Sequence, residues 1–563
     1  MNRYSSLAFL LVGAAALTAQ AAEMSLEVTG RYLIIPVSHK ADRVPLTLSL
    51  PGQEEMPVKV RIPQDGTPEY YTFKDMSAYR GKKIKLTFPD NLKGTEMIGF
   101  ADEIPDGESI YKERNRPQFH FTTRRGWIND PNGLVFYDGE YHLFYQHNPF
   151  ERDWENMTWG HAVSPDLLHW TELPTALHPD RSGTMFSGSA VVDYDNCSGF
   201  GREGNPAMVA FYTIDNDHET QGMAYSLDHG RTFVKYEGNP VIDSYDKWQT
   251  HDTRDPKVFR YRDRWVMVLN ERDGHSIYNS SNLRDWEYKS HITGFWECPE
   301  LFELPVDGDD SNRLWVMYGA SGTYMLGNFD GERFKPVSGK HRNTGGSIYA
   351  AQTYNNIPES DGRRIQIGWG RLSHPGENFN GMMLLPTELS LTNTLSGVRL
   401  VSKPVREVDG LCKLLGKWSN LTQEEANEAL RKYSAYDLLR VRFTLLLSHA
   451  TDASLSLDDQ RLFDYDMNHN TLNGFHYSPA DPTSMEITAD IFIDRTSVEA
   501  FIDGGLFSYS FGRKTDNSPV LASTDSDSRS AGTVEWNGKP FEFRGNRLTV
   551  KSLELFDVAS IWP

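Results

Sequence analysis

The segment Asp130–Gln146 reads DPNGLVFYDGEYHLFYQ and decides the fold. Two apolar runs flank Asp138-Gly139, a dipeptide typical of the tight turn of a β-hairpin. Both runs are rich in Leu, Val, Phe and Tyr, residues that are common in buried strands. The segment therefore predicts a buried hairpin, with the Asp130 carboxylate fixed between Asn129 and Pro131 at the start of its first strand.

The same pattern occurs in four more units further along the chain. Each unit has a polar residue, an apolar strand, a turn and a second apolar strand. After the first four units come similar polar segments, interpreted as outer strands: SPDLLHW, SLDHGRTF, SSNLRDW and GNFDGERF. Five copies of a four-stranded unit predict a five-bladed β-propeller. Because inner strands line its channel, we expect the first polar residue of each unit to lie at one end of that channel: Asp130, Ser187, Asp255, Glu297 and Gln352.

The chain before the propeller has two different compositions. Residues 1–22 combine Arg3, an apolar core and an Ala-x-Ala site ending at Ala21, which is typical of a cleavable export signal. Residues 23–110 contain short alternating runs, PLTLSL, VKVRI and KIKLTF, separated by Pro and Gly. This period of two predicts a small N-terminal β-domain with one buried face.

The propeller is predicted to span residues 111–405, and the pattern changes again over residues 406–563. A short helix is expected there, with Asn420 or Thr422 as its cap, followed by alternating strands that predict a β-sandwich. The predicted fold class is therefore all-β, with a five-bladed β-propeller, a C-terminal β-sandwich and a small N-terminal β-domain.

Composition excludes several classes of partner. The chain has 563 residues with 57 Lys and Arg against 77 Asp and Glu, a net charge of −20 that argues against nucleic acid and anionic membranes. Three cysteines are too few for a disulfide framework, although they leave room for one pair. No Cys lies near the predicted cleavage site to carry a lipid, so we expect a periplasmic or secreted protein without membrane insertion.

Three acids at the first positions of three blades indicate chemistry on a sugar. Glycosidases use two carboxyl groups, one as nucleophile or base and the other as proton donor. Glu297 suits the acid role because its longer side chain reaches the leaving oxygen, and the shorter, fixed Asp130 suits attack on the anomeric carbon. Arg254 lies next to Asp255 in sequence and favours an ionised carboxylate there.

Four motifs in order resemble glycoside hydrolase family 32, the fructan hydrolases and invertases. They are WINDPNG (127–133), FSGS (186–189), RDP (254–256) and WECPELF (296–302). The similarity continues through SIYAAQTY, GWGR, LPTEL and DRTSVEAFIDGG and covers about residues 117–563. The N-terminal β-domain lies outside the family pattern and resembles additions in gut Bacteroidetes members.

The resemblance implies a propeller with an appended sandwich and a retaining mechanism on β-D-fructofuranosides. By motif position, Asp130 would be the nucleophile, Asp255 the transition-state stabiliser and Glu297 the acid/base. Two positions depart from the pattern: Ile128 replaces the usual Met, and Glu155 stands where Gly commonly follows the tryptophan. The resemblance also implies the residues of the fructose subsite: Asn129, Gln146, Trp154, Phe186, Ser187, Arg254 and Trp369.

The sequence leaves several choices open. The expected substrate is a fructan such as levan or inulin, or sucrose, with exo attack favoured by the funnel at the axial end of a propeller over endo attack. A fructosyltransferase would share the pocket, and a propeller that binds fructan without turnover would keep the acids as hydrogen-bonding groups. The chain has no H-E-x-x-H spacing and only scattered cysteines, so neither a metal nor a cofactor is expected. The oligomeric state is open.

Overall fold

The computed structural model describes residues 21–447, 452–481, 483–513 and 538–563. The predicted export signal falls almost entirely on residues 1–20, outside that part of the chain. Within the described ranges, no helix combines the length and apolarity needed to cross a bilayer. Cys197, Cys298 and Cys412 are all unpaired, so the one disulfide that the sequence allowed is not formed.

The N-terminal β-domain consists of two small sheets around one apolar core. Its three alternating runs form strands, and in one of them, Met56–Val60, buried and exposed side chains alternate strictly. The four-stranded sheet contains, in spatial order, Ala21–Glu27, Lys83–Pro89, Val44–Ser49 and Met56–Val60. The three-stranded sheet contains Tyr70–Asp75, Tyr32–Val37 and Gly99–Ala101.

Five four-stranded antiparallel blades follow, which confirms the predicted propeller. The predicted Asp138-Gly139 turn is present, with φ of 51° and 83° at its two residues. The strands, from inner to outer, are Gly126–Tyr137, Glu140–Asn148, Thr158–Ser164 and Thr171–Leu177 in blade 1; Thr184–Asp193, Ala207–Asp215, Thr220–Ser226 and Val234–Lys235 in blade 2; Thr253–Tyr261, Arg264–Glu271, Gly274–Ser280 and Glu287–Thr293 in blade 3; Glu300–Val306, Asp309–Tyr318, Thr323–Phe329 and Phe334–Pro336 in blade 4; and Ile348–Thr353, Arg364–Gly370, Thr387–Thr394 and Gly397–Pro404 in blade 5.

The four polar segments interpreted as outer strands are instead the turns that precede those strands. In each turn one Asp or Asn side chain accepts hydrogen bonds from backbone N–H groups two to four residues ahead, and the next residue has a positive φ. Such side-chain bonds compete with strand pairing. The prediction of strand here was therefore wrong, at Asp166, Asp228, Asn282 and Asp330.

Polar side chains join the inner strands across the propeller axis. Gln352 of blade 5 accepts a hydrogen bond from Leu134 N of blade 1 at 2.9 Å and donates to Gly188 O of blade 2 at 2.9 Å. Beyond it along the chain, Asn355 donates to one carbonyl on blade 2 and one on blade 3. These bonds satisfy buried groups and hold the blades at fixed distances from one another.

A two-sheet sandwich forms the C-terminal part, as predicted. The helix Gln423–Arg431 begins at the Thr422 cap, which forms a capping box with Glu425, so Thr422 rather than Asn420 is the cap. The larger sheet contains Thr344–Gly346, Phe507–Gly512, Ser497–Ile502, Glu486–Ile493, Leu439–Leu446, Thr549–Val558 and Cys412–Thr422. The smaller sheet contains Phe475–His476, Thr471–Leu472, Gln460–Asp466, Asp452–Leu457 and Glu542–Gly545.

The propeller and the sandwich share both a sheet and a buried ion pair. Strand Thr344–Gly346, which lies between blades 4 and 5 in sequence, pairs in parallel with Ser508–Ser510 of the sandwich. His120, just before blade 1, is fully buried between Asp494 at 2.7 Å and Glu499 at 2.5 Å. The interface is thus built from backbone pairing and charge as well as apolar packing.

Candidate active site

Irregular backbone at one end of the channel turns side chains of the inner strands into a common pocket. Register shifts flank Asp130, Ser187 and Asp255 in the first strands of blades 1, 2 and 3. A β-bulge of this kind re-aims a side chain that regular pairing would direct into the blade. Asp255 has a φ of 67°, a conformation rare for residues other than Gly.

Glu297 reaches the pocket in another way. It was expected at the start of the inner strand of blade 4, but that strand begins at Glu300. Glu297 and Cys298 have consecutive positive φ values of 49° and 43°, and Glu297 N donates to Asn270 Oδ1 of blade 3 at 2.9 Å. This strained turn, tied to the neighbouring blade, directs the carboxylate over the channel.

Asp130 is held by neutral donors. Ser187 Oγ donates to Asp130 Oδ2 at 2.7 Å, and Asn129 Nδ2 donates to Asp130 Oδ1 at 3.1 Å. Trp127 Nε1 in turn donates to Asn129 Oδ1 at 2.7 Å, which fixes the orientation of the amide. Within the described chain Asp130 forms no ion pair, so its carboxylate is oriented without a neutralising cation.

Asp255 lies beside Asp130, with Cys298 between them. Cys298 N donates to Asp255 Oδ2 at 2.9 Å, and the Cys298 thiol lies 3.5 Å from Asp255 Oδ2 and 3.8 Å from Asp130 Oδ2. Burial and the surrounding acids raise the pKa of the Cys298 thiol well above its usual range. The thiol therefore stays protonated and acts as a weak hydrogen-bond donor to the two carboxylates.

Arg254 orients the third acid, Glu297. Its NH1 donates to Glu297 Oε1 at 2.9 Å, and its Nε donates to the buried Glu219 at 3.0 Å. Tyr349 OH donates to the other oxygen of Glu297, Oε2, at 2.6 Å. Both Glu297 oxygens thus have a donor, and the guanidinium orients the carboxylate by a charge-assisted bond.

The pocket raises the pKa values of two of its acids. Burial raises the pKa of Asp130, against the hydrogen bonds from Ser187 and Asn129, with the Glu297 charge adding to the rise. Burial and the adjacent Asp130 raise the pKa of Asp255 to about 8, against the opposing charge of Arg254. Carboxylates that share a low-dielectric site cannot all ionise easily, a property typical of catalytic acids.

Oxygen and sulfur atoms of Asp130, Asp255 and Cys298 lie within 4.8 Å of one another, close enough to share a cation. The donor set is mixed, however, because the thiol is held protonated and would have to lose its proton to act as a ligand.

Comparison with known proteins assigns the family. Residues 120–404, just over half of the chain, match the family model for the N-terminal domain of glycosyl hydrolases family 32. The chain belongs to glycoside hydrolase family 32. It is 40% identical over 462 residues to a levanase of Bacillus subtilis, covering 72% of this chain and 67% of that protein.

Two further relatives support the assignment. The extracellular exo-inulinase of Aspergillus niger is 32% identical over 474 residues, covering 69% of this chain and 88% of its own. The crystal structure of an exo-inulinase from Aspergillus awamori superposes with a TM-score of 0.66 at 26% identity, covering 80% of this chain and all of that one. The protein is therefore a glycoside hydrolase with the propeller and sandwich of family 32.

The predicted family 32 subsite residues lie around the acids to different extents. Asn129 and Ser187 donate to the Asp130 carboxylate, and Arg254 donates to the Glu297 carboxylate. Trp369 packs edge-on against Trp127, with ring centroids 5.8 Å apart. Of the other three predicted residues, Gln146 is buried and donates to Met185 O. The rings of Trp154 and Phe186 pack edge-on against each other, with centroids 6.0 Å apart.

The structure adds residues that sequence reasoning did not single out. Tyr349 and Cys298 lie inside motifs that carried the family 32 resemblance, so their positions were available as a signal. Glu219 and Asn270 were not detectable, because each is an isolated polar residue on another strand or turn of its blade. Trp296, beside Glu297, is 46% exposed, and with Trp154 at 49% it is one of two exposed tryptophans in the described part of the chain.

Proposed function

We propose that the protein is a retaining β-fructofuranosidase that releases terminal fructose from fructans. Asp130 is the nucleophile, Glu297 the acid/base and Asp255 the transition-state stabiliser. The observation that carries this proposal is the convergence of these three acids from three blades on one pocket. The names of its relatives, a levanase and exo-inulinases, support fructans as the substrate class.

The first step forms a covalent fructosyl-enzyme. Asp130 attacks the anomeric carbon while Glu297 transfers its proton to the leaving glycosidic oxygen. Neutral donors orient Asp130 without cancelling its charge, which supports the nucleophile role. In the second step Glu297 takes a proton from water as the water attacks the anomeric carbon, and Asp130 leaves with the electron pair of the broken bond.

The remaining groups bind the sugar. Asp255 accepts hydrogen bonds from ring hydroxyl groups, and Asn129, Gln146, Ser187 and Arg254 complete the polar lining. Trp154, Phe186 and Trp369 provide apolar faces for the furanose. Trp154 packs against Phe186, the neighbour of Ser187, and the half-exposed Trp296 directly precedes Glu297.

Exo attack is supported by the funnel shape of a five-bladed propeller and by the exo-inulinases among the relatives. The proposed location is outside the cytoplasm, in the periplasm or secreted, which the leader-like residues 1–22 and the extracellular relatives support.

The test compares wild type with Glu297→Gln on levan, inulin and sucrose. We expect kcat to fall at least ~10²-fold because general acid catalysis contributes this much or more. The matched control is Glu303→Gln, an acid on the inner strand of blade 4 that pairs with Arg313 away from the pocket. Equal activity of wild type and Glu297→Gln would contradict the proposed acid.

The product distribution tests the mode of attack. Fructose as the first product from levan and inulin would support exo action, whereas oligosaccharides would indicate endo action. Transfer products at high sucrose would indicate a fructosyltransferase. Fructan binding by calorimetry without any sugar released over days would favour a binding propeller.

A further inference from the structure

The loop formed by residues 149–156, which carries Trp154, has no regular secondary structure of its own. It connects two strands of blade 1 and brings Trp154 against Phe186 at the pocket. An irregular loop with a half-exposed aromatic needs support to hold that ring in one place. Much of this support comes from the N-terminal β-domain.

The first contact is a buried carboxylate between two arginines. Glu151 is fully buried, and its Oε1 and Oε2 accept hydrogen bonds from Arg43 Nε at 2.5 Å and Arg61 Nε at 2.6 Å. Arg43 also reaches the Trp154 carbonyl oxygen through NH2 at 3.4 Å. One guanidinium of the N-terminal domain therefore connects the buried acid with the backbone of the proposed sugar-binding residue.

The second contact involves the two residues after Trp154. Glu155 lies between Arg43 NH1 at 3.3 Å and Lys59 Nζ at 3.1 Å. The buried Asn156 side chain pairs with the Lys59 backbone, accepting from its N and donating to its O, both at 2.8 Å. Both residues that follow Trp154 are therefore held by side-chain or backbone groups of the N-terminal domain.

On the opposite side the loop contacts the propeller. Trp127 N donates to Glu151 O at 3.1 Å, and Asn148 Nδ2 donates to Asp153 O at 2.8 Å. The loop is thus held between blade 1 and strand Met56–Val60, an edge strand of the four-stranded sheet whose inward side chains pack in the core of the N-terminal domain. A shift of that strand would be transmitted to Trp154.

We propose that the N-terminal β-domain is part of the substrate-binding apparatus, with Arg43 and Lys59 as positioning residues for Trp154. This inference rests on the proposed function, because it assigns Trp154 to sugar binding. Its consequence is specific. Loss of the contacts that Arg43 and Lys59 make with the loop of residues 149–156 weakens fructan binding and leaves the chemical step at Asp130 and Glu297 nearly unchanged.

The experiment is a double-mutant cycle in the full-length protein. Arg43→Ala should raise KM for fructo-oligosaccharides roughly fivefold to twentyfold, since a small misplacement of a binding group is costly, with kcat changed less than twofold. In a Trp154→Ala background the same substitution should have almost no further effect on KM. Arg43→Lys keeps the positive charge but not the planar set of guanidinium N–H donors, so its KM should lie between those of wild type and Arg43→Ala. The matched control is Arg80→Ala, which removes an exposed ion pair with Asp102 inside the same domain.

A readout independent of activity separates this inference from the proposed function. Hydrogen–deuterium exchange of a peptide covering residues 149–156 should be faster in Arg43→Ala than in wild type or Arg80→Ala. Independent, additive KM effects of the Arg43 and Trp154 substitutions, or unchanged exchange in Arg43→Ala, would overturn the positioning role. If wild type hydrolyses no fructan, the proposed function fails. The exchange comparison still tests whether Arg43 holds the loop of residues 149–156 in place.

Discussion

Asp255 and Lys257 lie two residues apart on the inner strand of blade 3, and both are buried. Their surroundings neutralise the charge of Lys257 but disfavour the charge of Asp255. Lys257 Nζ lies 2.8 Å from Glu300 of blade 4 and donates to Thr353 O of blade 5 at 2.6 Å. Asp255 instead faces Asp130, and its pKa is raised. The strand thus carries a charge neutralised by an ion pair inside the axis and, at its end, a carboxyl group whose ionisation is disfavoured.

The two positions contribute differently to the stability of the fold and to the properties of the pocket. The buried ion pair, with its bonds to Thr353, holds three blades together, and removing one partner leaves an isolated buried charge. A crowded pair of buried acids raises the pKa of Asp255 and costs stability at a pH where both would be ionised. Activity and stability should therefore respond in opposite ways to substitutions on this one strand.

The largest expected effect on stability comes from the axial ion pair. Lys257→Met leaves Glu300 charged and unpaired, which we expect to lower the free energy of unfolding by about 3–5 kcal/mol, measured by urea denaturation. The double variant Lys257→Met/Glu300→Gln should recover part of the loss, because no buried charge remains and Gln can still accept from Thr353. Equal stability of the two variants would contradict the charge argument.

A smaller effect is expected on the pH dependence of activity. The hydrogen bond from Ser187 lowers the pKa of Asp130, so Ser187→Ala should raise that pKa further and move the acidic limb of kcat/KM to higher pH. Near pH 5 the loss should be about tenfold, the size of one hydrogen bond to a charged group, and it should shrink towards pH 8. Ser189→Ala, two residues along the strand, removes two bonds between blades, one donated to Pro256 O and one accepted from Val258 N, and should leave the limb in place.

The smallest effect is a gain in stability. A folded-state pKa that is raised means that wild-type Asp255 contributes stability at low pH, which is lost as the pH rises from the usual carboxyl range towards its pKa of about 8. Asn cannot ionise, so Asp255→Asn should melt about 2–4 °C above wild type near pH 9 and close to it near pH 4, while losing activity. Calorimetry across this pH range checks the sign. A difference that is constant with pH would contradict it.

Much of the propeller was predictable because its signals are local. The Asp138-Gly139 turn and the alternation of apolar runs require only neighbouring residues, and both were predicted correctly. The helix was also predicted, and the structure selected Thr422 as its cap. The polar segments before the outer strands were misread, because side-chain hydrogen bonds at positions such as Asp166 override strand propensity.

The geometry of the site was predictable only in outline. The convergence of Asp130, Asp255 and Glu297 followed from repeat symmetry, but the bulges and positive φ values that aim them arise from contacts between blades. Arg254 illustrates the limit: its neighbour Asp255 was evident from the sequence, whereas its bonds to Glu219 and Glu297 join residues 35 and 43 positions away. The contact between Arg43 of the N-terminal domain and Trp154 joins residues that are even further apart in sequence, by 111 positions.

The parallel strand Thr344–Gly346 has a practical consequence for protein engineering. It belongs in sequence to the propeller but completes the edge of the sandwich sheet beside Phe507–Gly512. A fragment cut at residue 404 would leave this segment without its partner and would expose His120 stripped of its two acids. The smallest unit worth expressing for directed evolution of this enzyme therefore extends well past the span that defines its family.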